Sequence, residues 1–139
     1  MTSATVRLTF PAEPEMVMLA RSACSSLASC TTWLSAGRVD DVKLAVSEAV
    51  TNAVLAQRRI DPAAVLELMV SADDDELMVQ VTDSAGGFEP DTHPDVIHPP
   101  DREGGRGLAI MRKFVDELRF SQTDAGTVVE LWFRRRPVD

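Results

Sequence analysis

Aromatic side chains are scarce in this sequence: two tryptophans, five phenylalanines and no tyrosine, 5% of residues in all. A surface that stacks nucleic-acid bases needs more of them, together with positive charge. Positive charge is also short, with 14 Lys and Arg against 22 Asp and Glu and a formal net charge of −8. Such a surface repels phosphates, which argues against direct nucleic-acid binding. The run Arg134-Arg135-Arg136 reads as a solvated strand end. No apolar stretch approaches the ~18–20 residues that cross a bilayer. The first residues lack the basic segment and apolar core of a signal peptide, so the expectation is a cytoplasmic protein. Cysteine is limited to Cys24 and Cys30, a spacing that suits neither a redox pair nor a zinc site. Both read as buried structural thiols. His93 and His98 have no third soft ligand near them and read as solvated loop residues.

What remains is a chain of 139 residues, 45% apolar, enough for one compact domain over residues 1–139 with a core of its own. Val6–Phe10 alternates apolar and polar residues as a strand does, and Pro11 ends it. Pro14 suits a helix start, and Met16, Ala20, Ala23 and Leu27 recur at helical spacing towards about Trp33. Gly37 breaks the pattern. A second helix covers Val39–Gln57. Val65–Ala72 and Leu77–Thr82 form a hairpin around the acidic turn Asp73-Asp74-Asp75-Glu76. Residues 89–104 hold four prolines and both histidines and read as a long, mobile loop. A third helix begins near Gly107, with Leu108, Met111, Val115 and Leu118 on one stripe. Leu118–Thr123 and Thr127–Arg134 close the chain as strands. The order β-α-α-β-β-loop-α-β-β predicts an α+β two-layer sandwich, a mixed, mostly antiparallel sheet with helices on one face.

The helix Val39–Gln57 carries the most information. At 100° per residue, Val42, Val46, Ala49, Val50 and Ala53 form a core face, and Asp40, Lys43, Ser47 and Thr51 a solvent face. Glu48 and Asn52 lie on neither; they are i,i+4 neighbours on a third arc shared with Leu44, Ala45 and Leu55. A carboxylate and an amide there need partners. Either they bond locally within the fold, or a ligand cleft beside the helix supplies the partners.

Two further segments are suggestive. In Val81-Thr82-Asp83-Ser84-Ala85-Gly86-Gly87-Phe88 a strand runs into a carboxylate and two glycines, where the backbone can approach a ligand closely. Asp83 could accept a hydrogen bond from the exocyclic amine of adenine, or simply open a turn. In Gly104-Gly105-Arg106-Gly107-Leu108 glycines precede an amphipathic helix, whose free amides and dipole favour a phosphate, or else form a hinge.

Taken in order, Glu48-x3-Asn52 on a helix, Asp83-x3-Gly87 after a hairpin strand, a long loop, and Gly105-x-Gly107 opening a helix resemble the GHKL ATPase superfamily, with its histidine-kinase-type ATPase fold. The likeness spans nearly the whole chain and includes Gly126-Thr127 before the last strand. Phe10-Pro11-Ala12-x-Pro14-Glu15 and Leu44–Val54 narrow it to the bacterial anti-sigma-factor serine kinases. The resemblance implies that Asn52 coordinates Mg²⁺ and that Glu48 orients or deprotonates an attacking serine hydroxyl. It implies that Asp83, Gly87, Gly105, Gly107 and Thr127 hold ATP, with residues 89–104 as the lid. It further implies a homodimer whose partners are a sigma factor and an anti-anti-sigma protein of the STAS type. The alternatives are a nucleotide-gated binding module without phosphotransfer, and a detached histidine-kinase catalytic domain. Three stretches depart from the family pattern. Ala85 replaces the first glycine of Asp-x-Gly-x-Gly, at roughly 1–2 kcal/mol if positive φ is needed there. Leu55-Ala56 replace a charged residue and a histidine, and Glu103-Gly104 stand where an arginine is usual, with Arg102 slightly earlier.

Overall fold

The computed structural model describes residues 3–84, 109 and 111–137. The chain forms β1 (Ala4–Pro11), α1 (Met16–Cys30), α2 (Ala36–Ile60), β2 (Val65–Ala72), β3 (Glu76–Asp83), β4 (Glu117–Thr123) and β5 (Gly126–Arg134). The strands make one sheet in the order β1-β2-β3-β5-β4. All four pairings are antiparallel, where the sequence suggested a mixed but mostly antiparallel sheet. The reason lies in the last hairpin. β3 and β4 run in the same direction, but β5 lies between them and is antiparallel to both. Leu131 and Phe133 of β5 are fully buried, whereas no residue of β4 is, so β5 takes the inner position.

Register carries the alternation of each strand across the sheet. Leu68 faces Val81, Val70 faces Val79, Val79 faces Leu131 and Leu77 faces Phe133, so the buried residues line up in rows on one face. Both helices cover that face, α1 over β1 and β2, α2 over β2, β3 and β5. The core forms between the layers.

Local chemistry sets the helix ends. α2 begins at Ala36 and takes Gly37 into its first turn, although the sequence suggested a break there. Ser35 caps it, its hydroxyl accepting the Arg38 N–H at 3.2 Å. A cap contributes about 1 kcal/mol, enough to offset a first-turn glycine at about the same cost. α1 stops at Cys30, short of the expected Trp33, because the Thr31 hydroxyl donates back to the Leu27 carbonyl at 2.8 Å. Trp33 then leaves the helix, and its indole N–H donates to the Asp73 carbonyl at 2.8 Å. Asp73 organises the β2–β3 turn by accepting the N–H groups of Asp75 and Glu76, which hold its carboxyl below the usual range.

Arg38 joins the layers at the opposite end of α2 from its C-terminus. Its guanidinium donates to Asp41, to Asp116 at 2.7 Å and to the Phe114 carbonyl at 3.1 Å, and lies 5.3 Å from the Phe133 ring centroid. Residues 111–114 are helical, with Met111 buried and Val115 half-buried. Leu118, read both at the end of that helical stripe and at the start of the strand that follows, belongs to β4. Trp132 sits on the helix-free face of the sheet, with the Arg119 and Arg134 guanidinium groups 5.0 and 5.3 Å from its ring.

The cysteines part company. Cys24 is fully buried, and burial pushes its thiol up to about 12. Cys30 is exposed, contrary to the expectation of two buried thiols. Six residues of helix turn through about 600°, so the second cysteine points well away from the first. A thiol reagent at neutral pH should therefore modify one cysteine, Cys30, in the native protein and the second only on unfolding. Two fast-reacting thiols in the folded state would contradict this burial pattern.

Candidate functional site

α2 presents the core face that its spacing suggests, but Ala45, read onto the third arc with Glu48 and Asn52, is buried with that face. Val42, Ala45, Val46, Ala49, Val50, Ala53 and Val54 are buried against the sheet and α1. Asp40 and Thr51 are exposed, and the Ser47 hydroxyl is absorbed by the Lys43 carbonyl at 2.8 Å. Glu48 and Asn52 are half-buried, and neither makes a hydrogen bond or ion pair among the described residues. Among the described residues, no local bond accounts for a half-buried carboxylate and an amide one turn apart.

The second cluster forms where β3 ends and β5 begins. Asp83 pairs with Thr127 across the strands, both are 5% exposed, and an Asp83 carboxylate oxygen accepts the Thr127 N–H at 3.2 Å. The Thr127 hydroxyl oxygen is buried with no hydrogen-bond partner among the described residues. Gly126 makes this approach possible. Its φ is +144°, and a Cβ there would lie 1.9 Å from the Asp83 carbonyl oxygen. Only glycine lets β5 start so close to the end of β3.

A third residue, overlooked in the sequence, ties the clusters together. Gln57, fully buried near the end of α2, donates from Nε2 to the Asp61 carbonyl at 3.1 Å. Its Oε1 accepts the Ser84 N–H at 2.8 Å and the Ser84 hydroxyl at 3.2 Å. The signal was present: Gln57 lies seven residues after Val50 and four after Ala53, on the apolar face. A polar side chain on that stripe has to be satisfied inside the fold.

Gly87, Gly105 and Gly107 lie outside the described residues, as do Ala85, Arg102 and the proposed lid over residues 89–104. No group of three or more His, Cys, Asp or Glu residues suited to a metal occurs among the described residues. Mg²⁺ does not require one, because it keeps several waters and takes one or two protein oxygens beside phosphate oxygens. The unengaged amide of Asn52 and carboxylate of Glu48 suit that donor set. A buried hydroxyl with no partner beside a buried carboxylate suits the donor and acceptor edge of a purine.

Comparison with known proteins points the same way. A model of the family described as histidine kinase-like ATPase domain matches residues 10–133. The serine-protein kinase RsbW of Bacillus licheniformis is 31% identical over 144 residues, covering 96% of this chain and 89% of that protein. RsbW of Bacillus subtilis is 31% identical over 131 residues, covering 88% and 81%. RsbW of Listeria monocytogenes is 30% identical over 132 residues, covering 89% and 83%. Among solved structures, one that holds the RsbU and RsbW domains of a Mycobacterium tuberculosis protein superposes with a TM-score of 0.66. The match has 22% identity and covers 97% of this chain but 34% of that one, and it is a likeness of fold.

The orphaned hydroxyl yields a stability prediction. Thr127→Val keeps the shape and removes a buried group that bonds to nothing. The unliganded protein should be as stable as wild type, or more stable by up to about 1 kcal/mol, in urea unfolding. A loss of about 2 kcal/mol would mean that the hydroxyl is satisfied in the unliganded fold.

Proposed function

The chain belongs to the histidine kinase-like ATPase domain family, within the group of the RsbW serine-protein kinases, and on that premise we propose that it is an ATP-dependent protein serine kinase and anti-sigma factor. The observation that carries the reading is the pair Glu48 and Asn52, half-buried and unengaged on the helix that Gln57 links to the Asp83 end of the sheet. Along α2, Asn52 lies about 7.5 Å and Glu48 about 13.5 Å from Gln57. The helix thus lays out a purine end and a phosphate end in sequence order.

Asp83 would accept the exocyclic amine of adenine, and the Thr127 hydroxyl would gain the partner it lacks. Guanine presents a carbonyl where adenine presents that amine, and a buried carboxylate rejects it. Asn52 would hold Mg²⁺ through its amide oxygen. Bound Mg-ATP would supply the transferable phosphoryl group, with the metal offsetting charge on its oxygens. Glu48 would accept the proton of a serine hydroxyl on the partner and so orient the oxygen for attack. Gly87, Gly105 and Gly107 complete the proposed nucleotide contacts, with residues 89–104 as the lid. The partners proposed are an anti-anti-sigma protein of the STAS type, which carries the serine, and a sigma factor that the kinase sequesters. A cytoplasmic homodimer is the proposed form. Support for these assignments comes from the relatives named serine-protein kinase RsbW, about 30% identical over most of the chain.

The protein incubated with Mg-ATP and its anti-anti-sigma partner should place phosphate on a partner serine. Glu48→Ala should cut the rate by about 10²-fold or more, the usual contribution of a general base. Undiminished labelling by the variant would remove Glu48 from the chemistry. Failure of wild type to label the partner, with ATP still bound, would favour a nucleotide-gated module that transfers nothing.

A further inference from the structure

We infer that Gln57 is the positioning residue that gives the site its preference for adenine, an inference that rests on the nucleotide reading above. β2 stays paired with β1 as far as Pro11↔Val65, but its pairing with β3 stops at Glu67↔Thr82. Asp83, the last residue of β3, still pairs with Thr127 of β5, and Ser84 follows it beyond the paired segments. Gln57 binds Ser84 there. Its Oε1 takes the Ser84 N–H at 2.8 Å and the Ser84 hydroxyl at 3.2 Å, as a neighbouring strand carbonyl would take the amide.

The other end of the same amide is committed to the helix. Nε2 donates to the carbonyl of Asp61, the residue that ends α2. The side chain is fully buried, so water does not compete for either bond. A single planar group thus fixes the distance between the C-terminal end of α2 and the residue next to Asp83. On the far side, Gly126 leaves no room for Asp83 to retreat, since even a methyl group would overlap the Asp83 carbonyl. The Asp83 backbone is consequently held between Gly126 and the Ser84 that Gln57 binds, while its carboxylate accepts the Thr127 N–H. Gln57 touches no nucleotide in this account; it acts through Ser84 on the orientation of Asp83. Loss of the glutamine bridge lets the strand end shift, and discrimination between an amine and a carbonyl on the purine depends on that orientation more than gross affinity does.

The test measures dissociation constants for Mg-ATP and Mg-GTP by calorimetry on wild type, Gln57→Met, Gln57→Glu and Gln57→Asn, with thermal unfolding of each. Methionine preserves volume and deletes all three hydrogen bonds. Glutamate keeps an acceptor facing Ser84. Asparagine is one methylene too short to bridge. The preference for ATP over GTP should fall by about tenfold or more in Gln57→Met and Gln57→Asn, as expected for the loss of one positioning hydrogen bond. Gln57→Glu should retain most of it, even where its melting temperature falls as far as that of the methionine variant. If Gln57→Met does not fold, the asparagine variant carries the same comparison. An unchanged ATP-to-GTP ratio in the variants that fold, with lower melting temperatures only, would overturn the inference and leave the nucleotide reading standing. Wild type that binds neither nucleotide, or binds both equally, would overturn the nucleotide reading and this inference with it.

Discussion

Helix α2 can bury Val42, Val46, Ala49, Val50, Ala53 and Val54 in one rotational setting only, and the candidate site follows from that setting. Each buried valine contributes roughly 1.5–3 kcal/mol relative to exposure. A half-buried polar group without a partner costs about 1–3 kcal/mol. Four valines outweigh one carboxylate and one amide, so the helix does not roll to give Glu48 and Asn52 to water. They stay on the flank, half-buried and unengaged, because the core demands it. Arg38 at one end of α2 and Gln57 at the other prevent the helix from sliding as well.

The end of the sheet shows the same subordination of local comfort to geometry. Gly126 adopts a backbone conformation that other residues rarely take, and the Thr127 hydroxyl is buried with nothing to bond. The glycine lets β5 start against β3, whereas the orphaned hydroxyl does nothing for the unliganded fold. It makes sense if the space beside Asp83 is shaped for a molecule that brings its own donors and acceptors. An unmet hydrogen bond next to a buried carboxylate is what a binding site retains at the expense of stability.

Much of this was legible in the sequence, because much of it is local. β2 runs over Val65–Ala72, the bounds read from its apolar, β-prone residues, and the core face of α2 follows from helical periodicity. Glu48 and Asn52 could be picked out because a helix fixes their neighbours within one turn. What could not be read depends on distant residues. The antiparallel sheet turns on which strand of the last hairpin goes inside, and the Asp83–Thr127 contact spans 44 residues. Gln57 looked like the polar end of a helix because its partner, Ser84, arrives 27 residues later. Gly37 misled for the opposite reason: the cap two residues before it was a stronger local signal than the glycine.

The central claim is that the flank of α2 and the junction of β3 with β5 are two halves of one adenine-nucleotide site. Titration of isotopically labelled protein with Mg-ATP, followed by nuclear magnetic resonance, tests it most directly. The account predicts shifts at the Asn52 side-chain amide and at the backbone amides of Ser84 and Thr127 together, with one affinity, while Trp132 on the opposite face of the sheet stays still. Shifts confined to one half of the proposed site, or to the helix-free face, would contradict it.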